Sequence, residues 1–204
     1  NISFQNIQKF FAVGLCLSVL FLVACAGDKK DGPDTIKERP VEEMYNEAAG
    51  LLDDKQYKTA QKSFEDVERL YPYSSWATQA QMMAAYAAYQ DMRYDEAIMA
   101  LDRFIDLHPS HERVDYVLYL KALCYYEQIS DVKRDQEMTS KALDSLTALV
   151  NRYPDSPYAR EAKVKLDLTR DHLAGKEMEV GRYYLAHHEI NAASNRFIVG
   201  IRDY

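Results

Sequence analysis

The sequence predicts an all-α fold, a solenoid of stacked helical hairpins, and three observations predict it. First, "YKTAQKSFEDVERLYP" (57–72), "YDEAIMALDRFIDLHP" (94–109) and "TSKALDSLTALVNRYP" (139–154) each place an alanine twelve residues before a proline: Ala60/Pro72, Ala97/Pro109 and Ala142/Pro154. Second, a small residue stands twelve places before the repeat alanine, as Ala48, Ala85 and Gly181 do before Ala60, Ala97 and Ala193. Third, a large apolar residue follows each alanine by four: Phe64, Leu101, Leu146 and Phe197. Small residue, alanine, bulky apolar residue and proline in this order form the tetratricopeptide-like (TPR) pattern. The small side chains let two helices approach, the bulky one fills the gap between layers, and the proline ends the second helix.

The chain opens on something else. Residues 10–24 carry no charge and are mostly Leu, Val, Phe and Ala, but also hold Gly14, Cys16 and Ser18. Crossing ~30 Å of hydrocarbon takes ~20 apolar residues, so this run fits the apolar part of a signal peptide better than a span. It ends in Leu22-Val23-Ala24-Cys25, which resembles the bacterial lipobox. In that motif the peptidase cuts before the cysteine, and the thiol carries a diacylglycerol. The expectation is therefore a signal peptide over 1–24 and a lipidated Cys25, with acyl chains enough for stable anchoring. Residues 26–40, "AGDKKDGPDTIKERP", hold two Gly and two Pro and read as a flexible tether. Residues 41–204 form the repeat domain.

Within that domain the first two repeats lie 37 apart, with the extra residues after the proline in "PYSSW", "PSHER" and "PDSPY". Serines there are candidate helix N-caps, with Pro157 suited to a first helical turn. The next interval is 45 residues, and its excess falls at "SDVKRDQEM" (130–138), which reads as a charged loop inside a hairpin. Before the fourth copy, added residues lengthen the first helix to about Pro157–His188, with Gly175 and Gly181 as places where it can bend. The fourth copy reaches Tyr204 one residue before the next proline is due, so a continuation of the repeats, a fifth included, is expected.

Composition narrows the function. The chain has 25 Lys and Arg against 32 Asp and Glu, a formal net charge of −7. Such a surface repels nucleic acid, and no basic stripe argues otherwise. Of three cysteines, Cys16 leaves with the signal peptide, Cys25 is lipidated, and Cys124 reads as a small core hydrophobe. No phosphate-cradling loop, nucleophile elbow or paired-cysteine metal site is present, so no cofactor, metal or catalytic group is assigned. His108 and His111 sit three apart in a turn and read as solvated, as do the scattered acids.

Tyrosine is the informative residue, at 16 of 204. Counting the small residue of each first helix as position 8, positions 2, 5, 9 and 12 line the inner face of such a solenoid. They hold Tyr45 and Leu52, then Met82, Tyr86 and Tyr89, then Tyr116, Tyr119, Leu123 and Tyr126. Ordinary packing between repeats accounts for some of these. Rings with a polar tip also suit a wet groove, and Tyr45, Met82, Tyr86, Tyr89, Tyr116, Tyr119 and Tyr126 are the substrate-groove candidates.

The lipobox, the repeats, the long helix and the stretches "YLKALCYYEQI" (119–129), "YPDSPYAREA" (153–162) and "EMEVGRYYL" (177–185) together resemble the BamD/ComL family. These are lipoproteins of the outer-membrane β-barrel assembly machinery, and the resemblance runs from Cys25 to Tyr204. It implies a non-enzymatic scaffold on the periplasmic face of the outer membrane. It also implies three kinds of partner: unfolded outer-membrane proteins, the periplasmic POTRA domains of the barrel subunit, and small accessory lipoproteins. A periplasmic TPR adaptor of the Tol-Pal type shares "YPDSPYA", but would carry a coiled coil and no lipobox. An adaptor lipoprotein delivering a peptidoglycan hydrolase or protease is a further alternative.

Overall fold

The computed structural model describes residues 39–129 and 136–204. The expected signal peptide, Cys25, the expected tether through Glu38 and residues 130–135 of the expected charged loop lie outside the described residues. Eight α-helices and no strand occur among the described residues: α1 (Val41–Asp53), α2 (Tyr57–Leu70), α3 (Ser75–Gln90), α4 (Tyr94–Leu107), α5 (Val114–Tyr126), α6 (Glu137–Arg152), α7 (Pro157–Ala186) and α8 (Ile190–Arg202). They pair as four hairpins, and the TPR-like all-α reading holds.

The ends of the helices follow local chemistry. Ser74 Oγ accepts the Ala77 N–H at 3.1 Å to start α3, and Ser156 Oγ accepts the Tyr158 N–H at 3.2 Å to start α7, with Pro157 in its first turn. Ser110 caps nothing, because the His108–Val114 turn closes on itself. His111 N–H donates to His108 O and Val114 N–H to His111 O, each at 3.1 Å, while the Arg113 N–H donates to His111 Nδ1 at 3.1 Å. Each residue before a repeat proline leaves the helix at nearly the same angles, with φ of −131° at Tyr71 and His108 and −132° at Tyr153. With ψ of 55°, 53° and 59° they have left the helical region that a following proline disfavours.

Three hairpins close through one turn that the sequence did not announce. Lys55, Met92 and His188 have φ of 60°, 56° and 63°. The next N–H in each, from Gln56, Arg93 and Glu189, donates back to Leu51, Ala88 and Tyr184 at 2.9, 3.0 and 2.9 Å. Left-handed residues followed by such long-reach bonds satisfy the last carbonyls of a helix, a job usually given to glycine.

Packing follows the repeat arithmetic. Ala48, Ala60, Ala97, Ala122 and Ala142 are fully buried, and Phe64, Leu101 and Leu146 seal the layers at 0% exposure. Each such burial contributes on the order of 1.5–3 kcal/mol for the large side chains. Cys124 is fully buried as well, and burial pushes its thiol up to about 12, as befits a core hydrophobe. Consecutive helices pack throughout. In addition α1 packs on α3, α3 on α5, and α5 on α7, whereas the backbones of α2, α4, α6 and α8 stay apart, with Arg103 of α4 reaching Glu68 of α2 only through their side chains. The first helices of the hairpins therefore form the inner layer of the stack, and their outward sides make its concave face.

Two sequence expectations change. The loop expected over 130–138 is shorter than expected at its far end, since Glu137 and Met138 are already helical. The Lys141–Glu137 pair at 2.6 Å, one turn apart, and the half-buried Met138 carry α6 back that far. The histidine turn is not simply solvated. His108 and His111 are half-buried with ring centroids 5.1 and 5.4 Å from Phe104. The long helix runs unbroken through Gly175 and Gly181 and ends at Ala186.

Candidate functional site

The predicted groove residues divide into packing and surface. Tyr45 packs between α2 and α3, with ring centroids 5.3 Å from Phe64 and 4.9 Å from Trp76. Met82 is 4% exposed in the core with Ala85, Leu101 and Phe104, so it offers no groove surface. An unbranched thioether fills the irregular space there better than it lines a surface. Tyr119 is 7% exposed. Its ring stacks on Tyr158 at 5.6 Å, and its hydroxyl donates to Glu161 Oε2 at 2.7 Å.

Tyr86, Tyr89, Tyr116 and Tyr126 are half-exposed. Tyr86 and Tyr89 lie 6.3 Å apart along α3, and Gln90 Nε2 donates to the Tyr86 hydroxyl at 2.7 Å. Tyr89 also meets Tyr94, at the start of α4, at 5.9 Å. On α5, Tyr116 meets Tyr158 of α7 at 5.2 Å. Tyr126 lies apart from these, with Lys165 Nζ 4.5 Å above its ring. The result is a band of phenols, Tyr94, Tyr89 and Tyr86 followed by Tyr116, Tyr158 and Tyr119, laid across α3, α5 and α7 with the first residue of α4 at one end.

Tyr89, Tyr94, Tyr116 and Tyr119 hold their protons. Burial, with the neighbouring Glu127 and the other tyrosines, pushes Tyr89 up to about 12. Burial raises Tyr116 and Tyr119 too, helped in Tyr119 by the hydrogen bond to Glu161. A neutral phenol both donates and accepts a hydrogen bond and keeps an uncharged face for stacking. The band is therefore equipped for uncharged, hydrogen-bonding, aromatic partners.

Counting by position missed Tyr94 and Tyr158. Tyr94 opens a second helix, outside the positions counted. Tyr158 was hidden because the added residues of α7 shift its frame, so the first half of α7 packs on α5 as an ordinary first helix would. "YPDSPY" did carry the signal, since it repeats the proline-then-serine start that precedes α3.

Residues 37–204 match the protein family described as "Outer membrane lipoprotein". The outer membrane protein assembly factor BamD of Caulobacter vibrioides is 45% identical over 176 residues, 86% of this chain and 58% of its own length. The chain belongs to the BamD family. The family's protein from Rickettsia prowazekii is 42% identical over 86% of this chain and 69% of that protein. The one from Neisseria meningitidis serogroup B is 35% identical, covering 94% of this chain and 74% of that protein. The chain thus spans less than two thirds of the Caulobacter relative. Among solved structures, MamA 41-end from Desulfovibrio magneticus RS-1 is 16% identical with a TM-score of 0.44, over 79% of this chain and 73% of that one.

Proposed function

We propose that this chain is a non-enzymatic receiving scaffold in outer membrane protein assembly. It is held to the outer membrane by lipid on Cys25, with its repeats on the periplasmic side. Its concave face takes up unfolded outer-membrane protein, while other surfaces dock on the POTRA domains of the barrel subunit and on small accessory lipoproteins. The naming of its relatives as assembly factors supports the setting.

The observation that carries the reading is the band of half-exposed tyrosines along the inner layer. An unassembled barrel strand arrives extended, with unpaired backbone groups and alternating, often aromatic, side chains. Tyr86, Tyr89 and Tyr116 can stack on such rings at ~0.5–1.5 kcal/mol per pair beyond burial. Their hydroxyls meet the free amides at the same time. Each contact is modest, so the cargo can be released to the machinery that inserts it.

The test is a titration of an aromatic-rich, carboxy-terminal barrel peptide against wild type and Tyr86→Ala/Tyr89→Ala. The double variant should lose about 2 kcal/mol of binding, roughly thirtyfold, with helical circular dichroism unchanged. Capture of the barrel subunit from native membranes should persist. Equal affinities in a folded variant would return the tyrosines to a packing role.

A further inference from the structure

Two uncommitted charges of opposite sign flank the tyrosine band. Arg113, the residue before α5, is exposed and has no ion-pair partner among the described residues, yet it lies near enough to act on the phenols of Tyr45 and Tyr116. Glu127, the residue after α5, is likewise exposed and unpaired among the described residues, and it acts on Tyr89, Tyr94 and Tyr119. Three of the neighbouring charges are occupied, while Glu112 beside Arg113 is exposed and unpaired among the described residues. Glu161 accepts the Tyr119 hydroxyl, Lys165 covers Tyr126, and Lys121 Nζ pairs with Asp102 at 2.5 Å.

The spacing fits a peptide. The helix between positions 113 and 127 rises ~21 Å at 1.5 Å per residue. A strand at ~3.3 Å per residue covers that distance with about six residues. We propose that the band, as the receiving groove described above, takes an extended aromatic segment in one polarity, an acidic group seated at Arg113 and a basic group at Glu127. The proposal rests on the groove reading and adds an orientation to it. A segment with two acidic ends meets Glu127 with repulsion, and one with two basic ends meets Arg113 in the same way.

The test uses three eight-residue peptides with blocked termini and one shared alternating Tyr/Ser core. Their end residues are Asp and Lys, Asp and Asp, or Lys and Lys. Wild-type chain should bind the Asp/Lys peptide roughly three- to fivefold better than either of the others, as exposed ion pairs allow. Arg113→Glu should move the preference to Lys/Lys, and Glu127→Lys to Asp/Asp. Both positions are exposed, and circular dichroism checks that helicity is kept. A photo-cross-linker beside the Asp of the Asp/Lys peptide should mark the Tyr116 side of the band. Three peptides of equal affinity, indifferent to both variants, would overturn the polarity and leave the groove standing. No binding by any peptide would remove the groove, and the polarity with it.

Discussion

A Cβ placed on Gly181 of α7 would lie 2.3 Å from Cε1 of Phe197 on α8. The ring of Phe197 occupies the space that any side chain would need, so the fourth hairpin closes only over a glycine. At Gly175, six residues earlier on the same helix, an added Cβ meets nothing within 4 Å.

The two glycines should therefore respond with opposite signs to alanine. Alanine is better than glycine in a helix by roughly 0.5–1 kcal/mol, and Gly175→Ala should gain about that. Gly181→Ala should instead lose ~1–3 kcal/mol through overpacking. Phe197→Leu added to Gly181→Ala should recover part of the loss, since it vacates the contested space. Thermal melts of the four chains check this, and a gain at Gly181 would show that Phe197 yields freely.

The left-handed turn residues offer a stabilising change. Lys55 and Met92 hold φ of 60° and 56° with side chains that pack on nothing essential, and Met92 is 74% exposed. A non-glycine residue there costs ~1–2 kcal/mol, part of which glycine returns as unfolded-state entropy. Lys55→Gly and Met92→Gly should each raise stability by about 0.5–1 kcal/mol in urea titrations. Separate turns should make the gains additive.

Much of this architecture is legible in the sequence, for reasons the residues make plain. Ala60, Ala97 and Ala142 sit where helices touch, and only small side chains fit there, so spacing alone locates the interfaces. Lys55, Met92 and His188 share a backbone conformation without sharing a residue type, which leaves no chemical mark to read. The groove is legible as a face but not as a site. Position counting cannot tell Met82, sealed in the core, from Tyr86, four residues along and half-exposed. Tyr94 enters the band through tertiary placement, which no local pattern encodes, whereas Tyr158 is marked only by the proline-then-serine start it shares with α3.

The phenols predict an alkaline transition. Tyr89 is raised from its ordinary value of 10 to about 12, so its neutral form is favoured by folding. A group raised in the folded state gives stability that is complete below its unfolded pKa and lost as pH rises through the folded one. Stability should therefore hold to about pH 10 and fall toward pH 12. Phenolate absorbance should show a late-titrating class, from which Tyr89→Phe removes one tyrosine. A single transition near pH 10 for all the tyrosines would contradict this.

The anchor is tested apart from the fold. Cys25→Ser should accumulate as an unprocessed precursor that takes up no labelled palmitate. Wild type should take up label and fractionate with the outer membrane. Full labelling of the serine variant would end the lipid assignment at Cys25.

Tyr119 separates stability from binding. Its ring is 7% exposed and stacked on Tyr158, and its hydroxyl ties α5 to Glu161 on α7. Tyr119→Phe keeps the ring and gives up one hydrogen bond to an exposed carboxylate, which water can replace. That should cost ~0.5–1.5 kcal/mol. Tyr119→Ala empties a buried aromatic site and should cost ~3–5 kcal/mol. Tyr86→Ala, on a half-exposed ring, should cost much less in stability than Tyr119→Ala. In peptide binding Tyr86→Ala should lose more affinity than Tyr119→Phe. Paired denaturation curves and peptide titrations on the three variants check both orders. If Tyr119→Phe weakens the peptide as much as Tyr86→Ala does, the Tyr119 hydroxyl reaches the cargo itself rather than only holding α5 to α7.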